Sequence, residues 1–395
     1  MNDVFADLVG QEEAVATLRR AAGAADQVVR GEQPPSGAMT HAWLFTGPAG
    51  SGRSVAARAF AAALQCPDGG CGRCAACHTA LGGTHADVRF VVPDGLSISV
   101  SEMRALVLRA AGTPTQGRWQ VLLVEDADRL TEQAGNALLK AVEEPPPRTV
   151  FLLCTPSTHP DDISVTIRSR CRVVTLRQPS AEAVAQVLSV RDGVAAETAQ
   201  WAAAAAQGHV GRARRLARDP QARATREAVL GIPRRLSGIG ACFDAAQALI
   251  EAAEAEAAAV TVERAEREKD ELKTALGAGG TGRGAAGAAR GTAGQIKDLE
   301  RRQKSRATRA QRDALDRALV DLAGFYRDVL MVRLAAAVPL VHDDVAEVSR
   351  AAAVKWTPEA ALRRIEAILE CREAIEANVK PRIAVESMML SLWYP

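Results

Sequence analysis

The 395-residue sequence predicts a parallel α/β domain followed by segments built of helices alone. Three observations carry this. The apolar runs His41–Phe45, Val121–Val124 and Thr149–Cys154 have the length of buried strands, and the last two end in acidic or polar tips. A Gly-rich turn, Gly47 to Ser54, joins the first run to an Ala-rich helical stretch, Val55–Leu64. From about Arg223 the pattern is almost wholly helical, and with only 4% aromatic residues the cores must be filled by Ala, Leu and Val, as in helix-on-helix packing.

In chain order, Val9-Gly10-Gln11 leads into an amphipathic helix, Glu12–Arg20. The turn after the first strand reads Gly47-Pro48-Ala49-Gly50-Ser51-Gly52-Arg53-Ser54, which matches G-x-x-x-x-G-K-[ST] except at Arg53. Such a turn aims backbone N–H groups and the positive end of a helix at a phosphate. Ser54 keeps the hydroxyl that ligates Mg²⁺ in such loops, whereas the guanidinium of Arg53 is planar and bulkier than an ammonium.

The next segment places Cys66, Cys71, Cys74 and Cys77 in one turn-rich loop. Four thiols at this spacing can close a tetrahedral, structural Zn²⁺ site, with His78 adjacent as a competing ligand. A strand over Asp87–Val92 and a helix over Ser99–Ala111 follow, the helix opened by a capping box of Ser99 and Glu102. Arg104 and Arg109 decorate it. The run Val121–Val124 delivers Glu125 and Asp126 to its tip, where open α/β sheets place their sites. A helix through Asn136–Glu144 is stopped by Pro145-Pro146-Pro147, and the strand ending at Cys154 presents Thr155. Then comes Thr166-Ile167-Arg168-Ser169-Arg170-Cys171.

This succession of acidic-tipped strand, helix ending in Glu-Glu-Pro-Pro, polar-tipped strand and Ser-Arg-Cys resembles the clamp-loader branch of the AAA+ ATPases. The resemblance implies an AAA+ phosphate-loop domain over residues 1–177 with the zinc module at 66–77. It further implies a helical lid over 178–222 and an all-α collar domain over 223–395. It assigns Gly47, Gly50, Gly52, Arg53, Ser54, Glu125, Asp126, Thr155 and, from the lid, Arg212 to an ATP/Mg²⁺ site. In the family, Asp-Glu stands where this chain has Glu125-Asp126, and Lys where it has Arg53; the two departures imply a degenerate site that does not turn over. Arg170 falls on the segment that the family directs at a neighbour's nucleotide, as an arginine finger; a local salt bridge is the alternative. Ser164-Val165 replaces the family's Leu-Pro and leaves the register of the arginines intact.

The resemblance also implies partners. These are gamma/tau motor subunits and a delta subunit, and through them the sliding clamp and primed DNA, with Arg104 and Arg109 as DNA contacts or simply a solvated helix face. Arg212 lies among Arg214, Arg215 and Arg218, so a merely basic helix is an equal reading. The run Asn378–Glu386 resembles the collar domain. A motor subunit is the competing assignment.

A formal net charge of +2 gives no global attraction to nucleic acid, so phosphate contacts would need local clusters. No run reaches membrane-span length and no secretory pattern opens the chain, which points to the cytoplasm. Leu315, Leu319, Leu322, Tyr326 and Val329 form one apolar stripe, and Leu362, Ile365 and Leu369 another. The Gly/Ala/Arg tract Gly277–Gly294 has too little apolar bulk to offset its ordering entropy and reads as a disordered insertion. It lies between charged helix formers, Glu251–Leu276 and Ile296–Arg312, which together read as a projecting hairpin or an insertion; a solvated linker and a basic arm are the two uses considered.

Overall fold

A computed structural model describes residues 3–93, 95–115, 117–275 and 285–394. The chain divides into two units, Met1–Ala217 and Arg218–Pro395.

The first unit is organised on five parallel strands, β1 (Ala42–Thr46), β2 (Val88–Val91), β3 (Gln120–Val124), β4 (Thr149–Thr155) and β5 (Arg172–Thr175), in the order β2-β3-β4-β1-β5. α1 (Glu12–Val29) precedes the sheet, the strands are joined by α2 (Arg53–Gln65), α3 (Ala75–Leu81), α4 (Val100–Ala110), α5 (Glu132–Glu143) and α6 (Val165–Arg168), and α7 (Ala181–Val190), α8 (Ala196–Ala205) and α9 (Val210–Arg218) follow. β1, β3 and β4 are buried along their whole length, which is why they read as continuous apolar runs rather than as alternating ones.

Successive residues of β1 feed opposite layers. Trp43 and Phe45 join the core that α2 covers, Ala42 and Leu44 the core that α5 covers. On the first face Trp43 meets Phe60 edge-on at 4.9 Å between centroids, a geometry favoured by the ring quadrupoles. The alanines of α2, with Ala56, Ala57, Ala59 and Ala61 fully buried, let its backbone lie close to the sheet, so the Gly-rich turn is held directly above the strand ends. Local sequence sets the helix starts. Ser99 accepts the Glu102 N–H while the Glu102 carboxylate takes the Ser99 N–H at 2.9 Å, completing the expected capping box; Thr131 and Ser180 cap α5 and α7. α5 ends before the prolines, as their chemistry requires. α1 runs to Val29, longer than its amphipathic start suggested, because Ala21, Ala22, Ala24 and Ala25 continue its buried face.

The second unit comprises α10 (Pro220–Leu230), α11 (Ile232–Arg235), α12 (Ile239–Ala275), α13 (Ala285–Arg333), α14 (Ala346–Lys355), α15 (Pro358–Glu376) and α16 (Pro381–Trp393). Leu315, Leu319, Leu322, Tyr326 and Val329 are all fully buried in its core. The second expected stripe is corrected in two of its three members, Ile365 being half-buried against the core. Leu362 and Leu369 are 46% and 42% exposed, and α15 buries Ala361, Arg364, Ile368, Cys371 and Ile375 instead. The physical reason is Arg364, whose Nε donates to the Leu392 carbonyl at 2.9 Å and whose guanidinium stacks 4.3 Å over Trp356. A buried, fully engaged guanidinium turns α15 by about a third of a turn from the face that apolarity alone selects.

α12 and α13 pair as an antiparallel hairpin. Arg317 bonds Glu256 at 2.6 Å, Gln303 donates to the Ala265 carbonyl at 2.8 Å, Arg306 bonds Glu268 at 2.8 Å and Lys269 bonds Glu300 at 2.8 Å. Of the tract read as disordered, 277–284 lie outside the described residues. From Ala285 the backbone is helical, in keeping with alanine's propensity.

Candidate functional site

The carboxyl ends of β1, β3 and β4 converge, and most of the residues assigned to a nucleotide site stand there. Gly52, with φ +91°, hands the chain into α2 at Arg53, so the turn delivers the helix N-terminus above β1. Arg53 Nη1 and Ser51 Oγ are buried without a hydrogen-bond partner among the described residues. A buried donor left without an acceptor fits an anion at this turn. Gln11 closes its other side, with Nε2 donating to the carbonyls of Ser51 (3.4 Å) and Arg177 (2.5 Å) and Oε1 accepting from the Arg177 N–H.

Two features oppose a working Mg²⁺–nucleotide site. Glu125 Oε1 accepts from both Nε (3.0 Å) and Nη2 (2.8 Å) of Arg58, one helical turn beyond Ser54 on α2, and the Arg58 guanidinium lies 4.4 Å over the Phe90 ring. The strand-tip carboxylate is thus paired inside the protein rather than directed at the turn. The second is His209, immediately before α9. A Cβ at Gly50, where φ is +85°, would sit 2.7 Å from the His209 Cβ, so only glycine permits this contact between the turn and the residue before α9. Arg212 sits one turn on, its N–H donating to His209 Nδ1 at 3.2 Å.

The remaining strand-tip residues are close but differently employed. Asp126 adopts a left-handed backbone (φ 51°), which aspartate tolerates better than most residues. Asp128, two residues on, has its carboxyl pKa raised by burial and by the charge of Asp126. Thr155 is fully buried and its hydroxyl donates to the Ser157 carbonyl at 2.8 Å, an internal use for a side chain assigned to sensing phosphate. Arg170 is exposed; it donates to the Thr166 carbonyl at 2.9 Å and pairs with Glu143 on α5 at 2.8 Å. Each partner is 40% exposed, the class of ion pair that contributes little and is easily exchanged. Arg104 and Arg109 are both exposed on α4, but five residues apart they point about 140° from one another and share no face.

The four cysteines come together. Their sulfurs all lie within 4.8 Å of one another, with Cys66 and Cys71 at 3.6 Å and Cys66 and Cys74 at 3.7 Å. A tetrahedron with metal–sulfur bonds of about 2.3 Å has edges of about 3.8 Å, so the donor set fits a metal ion. Backbone N–H groups point at the sulfurs, those of Asp68 and Cys71 at Cys66 and that of Cys77 at Cys74, each at 3.4 Å. Such donors favour thiolate: the Arg73 N–H pulls the Cys71 pKa down to about 6, while burial pushes Cys77 up. His78 is exposed and outside the cluster. Gly70 (φ +107°) lies against Val4, whose N–H donates to the Gly70 carbonyl, so the loop is tied to the start of the chain.

Sequence reasoning missed Arg58 and His209. Arg58 left a signal, as the one charged residue within the otherwise apolar run Val55–Leu64. His209 left none.

Fold and site define a parallel α/β module with a Gly-rich turn above its strand ends, and a helical second unit. Residues 31–180 match the family model described as DNA polymerase III, delta subunit. The chain is 37% identical over 171 residues to the DNA polymerase III subunit gamma/tau of Mycobacterium tuberculosis, which is 42% of this chain and 27% of that protein. It is 33% identical over 157 residues to the DNA polymerase III subunit delta' of Bacillus subtilis, 39% of this chain and 47% of that protein. Over this stretch the chain is similar to DNA polymerase III subunits; the matched segment spans less than half the length of either of these proteins. Among solved structures, a DNA polymerase III gamma subunit-related protein from Thermotoga maritima aligns with 94% of this chain and 97% of its own, at 14% identity and a TM-score of 0.39. No helix among the described residues is long and apolar enough to cross a membrane.

Proposed function

We propose that this chain is the delta-prime subunit of a bacterial DNA polymerase III clamp loader, the stator of the ring, acting in the cytoplasm to help load the sliding clamp onto primed DNA. The observation that carries the choice of stator over motor is the pairing of Glu125 with Arg58, in a loop where Arg53 replaces lysine. Magnesium placement in phosphoryl transfer depends on a free strand-tip carboxylate, and this one is engaged. The loop keeps a buried donor for a phosphate at Arg53, so nucleotide binding without turnover is the behaviour expected of it. In this reading residues 1–177, 178–222 and 223–395 serve as AAA+ domain, lid and collar, and the four-cysteine loop holds one structural zinc.

The partners are gamma/tau and delta subunits, with the clamp and primed DNA reached through the assembly and by Arg104 and Arg109. Arg170 completes the ATP site of an adjacent motor subunit, exchanging its exposed Glu143 pair for the charge on the neighbour's phosphates. Fingers of this kind contribute roughly 10³ to 10⁵ in rate. The test is a clamp loader reconstituted with Arg170→Ala: normal assembly with one neighbouring site silent and loading impaired supports the role. Unchanged DNA-stimulated hydrolysis and loading would reject it. The gamma/tau match favours the motor as second reading, and a turnover assay on the chain alone separates the two.

A further inference from the structure

Beyond that reading, we propose that the α12–α13 hairpin of the second unit is an arm that binds the phosphate backbone of duplex DNA along the outer face of α13. The hairpin continues past the core: among the described residues the last buried one of α12 is Ala257 and the first of α13 is Ala314. Beyond them, cross-hairpin polar pairs hold the two helices together. Between residues 297 and 312 the sequence places seven cationic side chains against two anionic ones.

Their placement is ordered. Gln303 and Arg306 face α12, and the residues about half a turn away are Lys297, Arg301, Lys304 and Thr308, spaced by four, three and four; all four are exposed. This is one stripe, about 16 Å long at 1.5 Å per residue. Lys297 and Lys304 have no ion-pair partner among the described residues. The glutamate within the stripe, Glu300, is taken by Lys269 of α12 at 2.8 Å, so it does not discharge its neighbours. Charged pairs in both directions thereby order the hairpin, Arg306 with Glu268 and Lys269 with Glu300, while Lys297 and Lys304 stay exposed.

The chemistry of the stripe selects its occupant. Protein partners are anchored by buried aromatic and aliphatic side chains. Among the described residues the exposed large hydrophobics of the hairpin, Ile239, Phe243 and Val262, all belong to α12, and none to α13. A row of cations and a hydroxyl without an apolar anchor matches a duplex, which carries one negative charge per about 1.7 Å of its axis. Contacts of this row to phosphates alone would make binding independent of base sequence.

The test uses the full chain and a short fluorescein-labelled duplex, with anisotropy titrations between about 50 and 200 mM salt. The triple variant Lys297→Gln, Arg301→Gln, Lys304→Gln keeps helix propensity. It should bind at least tenfold more weakly at the low end and lower the slope of log affinity against log salt by about 2.7, three contacts at about 0.9 each. Lys297→Arg with Lys304→Arg should retain both, and circular dichroism of every variant should match the parent. Loss of binding in Arg104→Ala/Arg109→Ala with none in the triple variant would overturn the assignment, as would an unchanged slope or an absence of binding by the parent chain. A polyglutamate chain binding the stripe as tightly as the duplex would overturn it in favour of an acidic protein.

Discussion

Replacing Arg58 with alanine probes the feature on which the choice of stator rests. The substitution removes two N–H donors from Glu125 Oε1 and the contact of the guanidinium with Phe90, and leaves a carboxylate whose side chain is only 16% exposed. A hydrogen bond to a charged group contributes about 1.5–3 kcal/mol, and a cation over an aromatic face about 0.5–1 kcal/mol. Because both donors share one oxygen and the Arg58 side chain is 35% exposed, solvent screening reduces the sum to about 2 kcal/mol. For a unit of this size that lowers the melting temperature by roughly 4–8 °C. The assay is urea denaturation followed by tryptophan fluorescence for the parent, Arg58→Ala, Glu125→Gln and the double variant. A coupling energy of about 1–2 kcal/mol is expected, and the freed carboxylate should raise affinity for Mg²⁺–nucleotide. Additivity within about 0.5 kcal/mol, or no gain in nucleotide affinity, would refute the view that Arg58 holds Glu125 away from the loop.

Other outcomes follow from the same geometry. Protein purified without chelator should carry one metal equivalent, identified as zinc by elemental analysis, and Cys74→Ser should lose it. Because metal binding displaces thiol protons, affinity should fall as pH falls; a metal content unmoved by acid or by the substitution would contradict the site. His342 is fully buried, its Nδ1 facing Arg226 Nη2 at 2.9 Å and its Nε2 the Asp321 carbonyl at 3.0 Å. Burial and the Arg226 charge lower its pKa, so the unfolded chain binds the extra proton first. This contribution to stability is complete above the ordinary histidine value of about 6.5 and declines below it, by at most about 1.4 kcal/mol per pH unit, and His342→Gln should flatten that limb. Arg364→Lys should cost about 2 kcal/mol in thermal unfolding, because an ammonium cannot reproduce both the Leu392 bond and the stacking on Trp356; a change below about 0.5 kcal/mol would deny it that role.

Much of the first unit was legible because β1, β3 and β4 are buried on both faces and so announce themselves as uninterrupted apolar runs. The Gly-rich turn, the capping box at Ser99 and the cysteine spacing were legible for a similar reason, since each is local chemistry confined to a few adjacent residues. What escaped depends on distant partners. Arg58 and Glu125 are 67 positions apart and meet only because β3 ends beside α2. The contact of His209 with Gly50 joins residues 159 positions apart, brought together only when the chain before α9 returns to the turn. On α15, Leu362 and Leu369 have the right period and the wrong face, because Arg364 buries a charge that periodicity cannot foresee. The hairpin was legible from its two charged helix-forming segments; which charges pair across it, Glu268 with Arg306 and Lys269 with Glu300, was not.

Steady-state ATP hydrolysis by the purified chain alone, with and without primed DNA, tests the account most directly. It predicts no turnover above background in either condition, with Ser54→Ala indistinguishable from the parent. A clear rate that Ser54→Ala abolishes would contradict it and identify the chain as a motor.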